Sequence, residues 1–451
     1  MDWRLTRNRF ARFTVVSQFF PPDFAATGQL LDDLSARLAK KGLQVQVLTG
    51  QPAYAYNESA AERIVFDLNR CIRRTRLSRL VPQKLRGRAI NGLLFCARVG
   101  VRLVRYTRRG DLILYTTEPA YLPVLGWLMH LITKTPYVVL FYDLYPDVLF
   151  RLGVLPRDHW ICRLWETLNA RVCARAQSVI VLSEPIAERV CQMAPGSRDK
   201  IEIIPSWANP ETIQPRPKNV NRFAVANGLT KSFTVMYSGN QGRCHDLDTL
   251  LAAAKLLRDQ RDIKFVLIGK GALHQHLREI VAEWDLTNCR FLPYQDPDVL
   301  PESLTAADIA VVSVGSQSES LVAPCKLYGH LAAGTPIAAI SPPDSYLAQL
   351  VEREGCGRWF ANGNAQQLAD WIKALRDQPE LVHAYGTAAR ELLLRTATPD
   401  LVVDKYWSVI QPNLPAGKVL EQPVPNVSTS GLIPNWSLIN PPTLSEVVSP
   451  A

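Results

Sequence analysis

One segment governs what this chain can become: Phe233 to Leu251, FTVMYSGNQGRCHDLDTLL, near the middle of the sequence. The apolar, β-rich run from Phe233 to Tyr237 reads as a strand. It feeds a loop carrying Gly239, Gly242 and Arg243, and a helix opens at Asp246 or Asp248. Glycines let backbone amides approach an anion, a helix N-terminus adds positive potential, and Arg243 brings a full charge. A second unit from Phe265, FVLIGKGA, repeats the pattern and puts Gly269 at the same kind of turn. Such units build doubly wound α/β sheets, and the loop suits the diphosphate of a nucleotide.

The alternation runs through both halves. In the first, Phe13 to Phe20, Gln44 to Thr49, Asp111 to Thr116, Pro136 to Leu144, Ser178 to Ser183 and Lys200 to Pro205 read as strands. Between the first two, Leu30, Leu31, Leu34 and Leu38 share one helical face, Thr27 can cap the helix and Gly42 ends it. In the second, strands are expected at 233–237, 264–268, 289–293, 309–314 and 336–341. Strands separated by helices make parallel sheets covered on both faces. At 451 residues the chain is too long for one core. The expected division is a first domain at 1–206, a linker at 207–232, a second domain at 233–395, a helix at 396–411 returning to the first domain, and a disordered tail at 412–451 holding eight prolines.

Net charge is +10, and between Glu62 and Arg109 fourteen Lys or Arg stand against two acids. That stretch could meet acidic lipid, a phosphorylated acceptor or nucleic acid, or be a solvated basic face. Nine cysteines include no C-x-x-C pair, which points to reduced thiols in the cytoplasm. Pro119 to Thr133 is apolar but shorter than a membrane span, so surface docking through Trp127, Leu128 and Leu131 is the membrane contact left open.

Several stretches together carry a resemblance: FFPPDFAATGQLLDDLSARLAKKGLQVQVLTG, YDLYPDVLFRLGVL, IVLSEPIAERV, IEIIPSWANPETIQP, VMYSGNQG, FLPYQDPDVLPESLTAADIAVVSV and LVAPCKLYGHLAAGTPIAAI. In this order they resemble family 4 glycosyltransferases, retaining enzymes of GT-B architecture, and among them the branch of colanic-acid and O-antigen fucosyl and N-acetylglucosaminyl transferases. The resemblance covers residues 13 to 410. It implies two Rossmann-like domains facing across a cleft. In the second, Gly239, Asn240, Gly242 and Arg243 would surround the donor diphosphate and Lys326 would help neutralise it. Gly269 and His245 would lie beside the donor, backbone near Leu292 and Tyr294 would meet the nucleobase, and Glu319, Leu321, Val322 and Cys325 would hold sugar and ribose. From the first domain, Ala26 to Gly28 would approach the donor phosphate and Asp143 would face the acceptor. No metal and no other cofactor is implied.

Two departures stand out. Gly329 and Leu321 occupy the places of a frequent glutamate pair, and Asn240 and His245 those of a frequent Arg and Lys, which leaves Arg243 and Lys326 to supply the charge. Asp246-Leu-Asp248 imitates a metal-binding D-x-D, but at a helix start these carboxylates read as caps. Asp143 closes an apolar strand, where an open parallel sheet lines its ligand crevice. It could orient or deprotonate an acceptor hydroxyl, or cap a helix. The expectation is a cytoplasmic transferase, possible at the inner membrane face, that moves a sugar from UDP- or GDP-sugar to a glycan or lipid-linked acceptor and does not bind nucleic acid. A nucleotide-sugar epimerase and a non-catalytic sugar-nucleotide binder are the alternatives.

Overall fold

Short β-branched runs pair edge to edge into two separate sheets. The computed structural model describes residues 11–23, 25–52, 61–76, 85–107, 110–151, 153–316 and 324–414. Glu319, Leu321, Val322 and nearly all of the expected tail lie outside the described residues.

The first sheet consists of β1 (Arg12–Val16), β2 (Gln44–Thr49), β3 (Ile64–Asp67), β4 (Arg70–Arg74), β5 (Leu112–Thr116), β6 (Tyr137–Phe141), β7 (Ser178–Val181) and β8 (Ile201–Ile203). Their order is β3-β4-β2-β1-β5-β6-β7-β8, parallel except where β3 runs against β4. The second has β9 (Phe233–Ser238), β10 (Ile263–Ile268), β11 (Cys289–Leu292), β12 (Ile309–Ser313), β13 (Ile337–Ile340) and β14 (Gly357–Phe360). Its order is β11-β10-β9-β12-β13-β14, all parallel. Central strands such as β5 and β6 are buried along their whole length, which is why they read as unbroken apolar runs. In each sheet the strand order reverses once, between β1 and β5 and between β9 and β12, and each reversal opens a crevice beyond the strand ends.

The structure corrects several local expectations. β1 stops at Val16, not Phe20, because the chain then leaves the sheet: Gln18 N–H donates to the Glu118 carbonyl at 2.8 Å. Thr27 is not a cap. The helix begins at Ala26, and the Thr27 hydroxyl donates instead to the Glu118 carboxylate. The basic stretch contains the β3–β4 hairpin and the long Leu85–Tyr106 helix, and part of its charge is structural: Arg70 pairs with Asp32 and Asp67, and buried Arg74 donates to the carbonyls of Glu62 and Pro21. β14 was not foreseen. The expected linker includes a short Arg222–Ala226 helix capped by Asn221 and packed under β9 and β10. Trp127 faces inward beneath Arg171, 5.8 Å from its ring, whereas Leu128 and Leu131 face out. None of the nine cysteines forms a disulfide.

The chain crosses between the two cores twice. Near 207 it leaves the first, where Trp207 donates to Asp33 at 2.7 Å. Near 397 it returns, and Ala208 N–H donates to the Ala397 carbonyl at 3.3 Å, tying the crossings together. The Pro399–Ile410 helix then buries Val402, Val403, Tyr406, Val409 and Ile410 in the first core. Arg37–Asp400 and Lys41–Asp404 ion pairs at 2.7 Å hold its outer side to the Ala26–Lys40 helix. Tyr406→Ala should therefore destabilise the first domain by about 3–5 kcal/mol, although it lies near the end of the chain. Urea unfolding followed domain by domain should show the first transition shifted and the second unmoved.

Candidate functional site

The two glycine turns of the second sheet fit back to back, and each needs glycine. Gly239 has φ +139° and Gly269 φ +122°. A Cβ on Gly269 would fall 2.2 Å from the Gly239 carbonyl oxygen, and one on Gly271 2.4 Å from that of Gln241. The turns are tied by Gly239 N–H to Ile268, Gln241 N–H to Lys270 and Leu273 N–H to Gln241 carbonyls, at 2.9–3.0 Å. The Gly239 amide expected to meet an anion, and that of Gln241 beside it, are thus engaged by the neighbouring turn. The Asn240 carbonyl accepts from Tyr237 at 2.6 Å, and Gly242 accepts from His245 N–H at 3.1 Å. The Arg243 side chain is exposed beside this loop, with no ion pair among the described residues.

Lys326 opens the Lys326–Ala333 helix and reaches back over the loop. Its Nζ donates to the Tyr237 hydroxyl, lies 4.1 Å from that ring's centre and approaches His245 Nε2 at 3.3 Å. His245 Nδ1 sits 2.7 Å from the Ser313 carbonyl, so Nδ1 carries the proton and Nε2 accepts from Lys326. Burial, then Lys326, lowers His245 to about 3, so it stays neutral. Burial also brings the Lys326 ammonium from 10.5 down to about 7, and no carboxylate among the described residues pairs with it. The β9 and β12 ends thus frame a cationic group at the crevice of the second sheet. Asp246 is a cap, accepting from Thr249 N–H at 3.0 Å, and Asp248 meets His276 at 3.5 Å.

Other expected donor residues are placed less directly. The Leu292 carbonyl accepts from Gly269 N–H at 2.9 Å, so it faces the turn, while the Tyr294 hydroxyl donates to Lys270 at 3.0 Å. Cys325 Sγ lies 3.4 Å from Ser206 Oγ of the other half of the chain. Gly28 has a packing reason of its own: a Cβ there would press on the Phe20 backbone at 3.1 Å.

On the first sheet, Asp143 follows β6, its N–H 3.4 Å from Thr117 Oγ1. Burial raises its carboxyl to about 6. Glu118 follows β5 and was missed. Its two oxygens lie 2.9 and 2.8 Å from Thr27 Oγ1, and burial raises it to about 8. The strand-end rule that singled out Asp143 would have found it, but Glu118-Pro119 reads as a turn. Tyr237 was hidden likewise inside an apolar strand. Burial raises the Cys325 thiol, and Asp143 and Glu118 of the first half add to the rise.

Two family models match in sequence, "Glycosyl transferase 4-like domain" over residues 27–207 and "Glycosyl transferases group 1" over 221–392. The chain is 23% identical to the probable glycosyltransferase WbjE of Pseudomonas aeruginosa over 415 residues, 91% of this chain and all of the relative. It is 29% identical to WcaI of Escherichia coli K12, a candidate colanic acid biosynthesis glycosyl transferase, over 39% of this chain and 42% of the relative. Among solved structures, sucrose-phosphate synthase from Thermosynechococcus elongatus superposes with TM-score 0.73 at 17% identity, covering 89% of this chain and 98% of that one. Anabaena HepE in complex with UDP and glucose superposes at 0.67 and 14%, covering 89% and 100%. With two doubly wound sheets of mainly parallel strands and both halves matched in order, the chain is a glycosyltransferase of the GT-B architecture.

Proposed function

We propose that the protein is a retaining glycosyltransferase of family 4 that moves a sugar from a UDP- or GDP-sugar to a lipid-linked glycan acceptor in surface or exopolysaccharide synthesis. One observation carries the donor side: a buried lysine, with no carboxylate partner among the described residues, beside a double glycine turn. A diphosphate there restores the charge that burial suppresses in Lys326, and Arg243 adds a second cation. The Gly242–Arg243 edge, together with Gly28 and the amides of the Ala26–Lys40 helix start, faces the remaining phosphate oxygens. A solved neighbour of the same fold holds UDP and glucose, which supports a nucleotide-sugar donor.

In transfer, the bond from the anomeric carbon to the β-phosphate oxygen breaks, and a bond from the acceptor oxygen to that carbon forms on the same face. Negative charge grows on the leaving diphosphate, where Lys326 and Arg243 stabilise it electrostatically. The acceptor hydroxyl's proton passes to the leaving phosphate or to Asp143. At pH 7 Asp143, raised to about 6, is mainly ionised and still close enough to neutrality to take a proton.

A lipid-linked acceptor is supported by the outer face of the first domain. The Leu85–Tyr106 helix exposes Ile90, Leu93, Val101 and Val104 in one stripe, and the adjoining Leu122–Thr133 helix exposes Leu128, Leu131 and Ile132. Neither helix contains an acid, and the first holds five arginines. Trp160 and Leu164 extend the apolar face on the Trp160–Arg175 helix. An apolar stripe rimmed by arginine matches an anionic bilayer surface. No helix among the described residues is long and apolar enough to cross a membrane.

Incubation with radiolabelled UDP- and GDP-sugars and membrane extract should give label in a glycolipid fraction. An isomerised donor, or binding without turnover, would overturn transfer. Arg243→Ala should lower kcat/KM by about 10²–10³-fold. Lys326→Met should abolish donor turnover yet raise the melting temperature of the empty protein. Because the folded pKa is depressed, the lysine's penalty is full below pH 7 and fades as pH rises toward 10.5, so the gain should shrink over that interval. Vesicles containing phosphatidylglycerol should bind the protein in a salt-sensitive way, and Val101→Glu with Leu128→Glu should weaken that binding by about tenfold or more.

A further inference from the structure

We propose that Glu118 is a substrate-positioning group that, as a neutral carboxyl, donates a hydrogen bond to the donor's diphosphate and thereby couples nucleotide binding to a proton; this rests on the cleft being a nucleotide-sugar site, as proposed above. Its place in the fold is the first support. β1 and β5 flank the reversal of the first sheet, and Glu118 stands just past β5, its carbonyl accepting from Gln18 just past β1. That is where an open parallel sheet receives a ligand. From the second half Cys325, the residue before Lys326, comes near enough for Glu118 to act on its thiol.

The immediate contacts point the same way. Thr27 Oγ1 lies 2.9 and 2.8 Å from the two carboxyl oxygens, but a hydroxyl has one proton and cannot satisfy both. Among the described residues no lysine, arginine or histidine is paired with this carboxyl. The titratable groups that face it are Asp23, ahead of the Ala26–Lys40 helix, Asp143 and Tyr142, after β6, and Cys325 of the second half. All are acids. Burial, with Asp143 and Asp23 adding to it and Thr27 opposing, raises Glu118 to about 8. Thr27 also lies in the first turn of a helix whose N-cap, Ala25, makes no side-chain bond.

A diphosphate bound against this turn meets a carboxyl. An ionised Glu118 repels it, whereas a protonated Glu118 offers an O–H donor. Glu118 and Asp143 then divide the work: the higher-pKa carboxyl keeps its proton for the phosphate, and the lower one stays ionised for the acceptor hydroxyl. No bond is made or broken at Glu118.

The test is the affinity for UDP and for GDP by isothermal titration at pH 7 and pH 9, with proton uptake measured in buffers of different ionisation enthalpy. Deprotonation of Lys326 weakens the wild type and Glu118→Gln alike. Glu118 adds a second loss in the wild type only, so its ratio of Kd at pH 9 to Kd at pH 7 should exceed that of Glu118→Gln by about tenfold. At pH 9 the wild type should take up nearly one proton more per nucleotide than the variant. Thr27→Val, which removes the bond favouring the ionised form, should move the wild-type break to higher pH and serves if Glu118→Gln does not fold. Equal pH dependence in wild type and both variants would overturn the role of Glu118 while leaving the donor site standing. A wild type that binds neither nucleotide at pH 7 would overturn both.

Discussion

A lysine held out of water, with no carboxylate paired to it among the described residues, is the constraint on which the cleft depends. Lys326 is positioned by the Tyr237 ring and hydroxyl and by a neutral His245, which are weak substitutes for an anion. They fix direction without supplying charge. The glycine turns fit the same arrangement: Gly239 holds φ +139°, with Lys326 Cε 3.3 Å from where a Cβ would stand, and the Gly269 turn braces it from behind. On the proposed reading, stability is held back at this point so that an incoming anion has something to complete.

Much of the architecture was legible because the physics that makes a parallel sheet is local. Buried strands need apolar β-branched residues, and the Gln44–Thr49 strand and the Pro399–Ile410 helix announced themselves by pattern. What the sequence hid depends on distant partners. The β3–β4 hairpin has an exposed outer strand whose Ile64 and Phe66 face solvent, so it lacks the burial signature of the others. Arg70 and Arg74 looked like surface charge until Asp32 and the Pro21 carbonyl, far away in sequence, came alongside.

The candidate site divides along the same line. Arg243, Lys326, Asp143 and the glycines could be singled out from the sequence because their residue types and neighbours imply a role. Glu118 and Tyr237 were passed over because each sits inside a motif with an ordinary structural meaning, a turn and a strand. Conversely, the loop amides looked more available than they are, since only the folded chain brings Ile268 and Lys270 carbonyls against them.

The paired crossings at 208 and 397 have a mechanical consequence. Two chain segments joined by a hydrogen bond behave like a door hung on two pins. Swinging about the line through them strains neither strand, while sliding or twisting one half past the other stretches both. Whatever lies on the two lips of the gap can therefore separate and meet again in the same register, turn after turn.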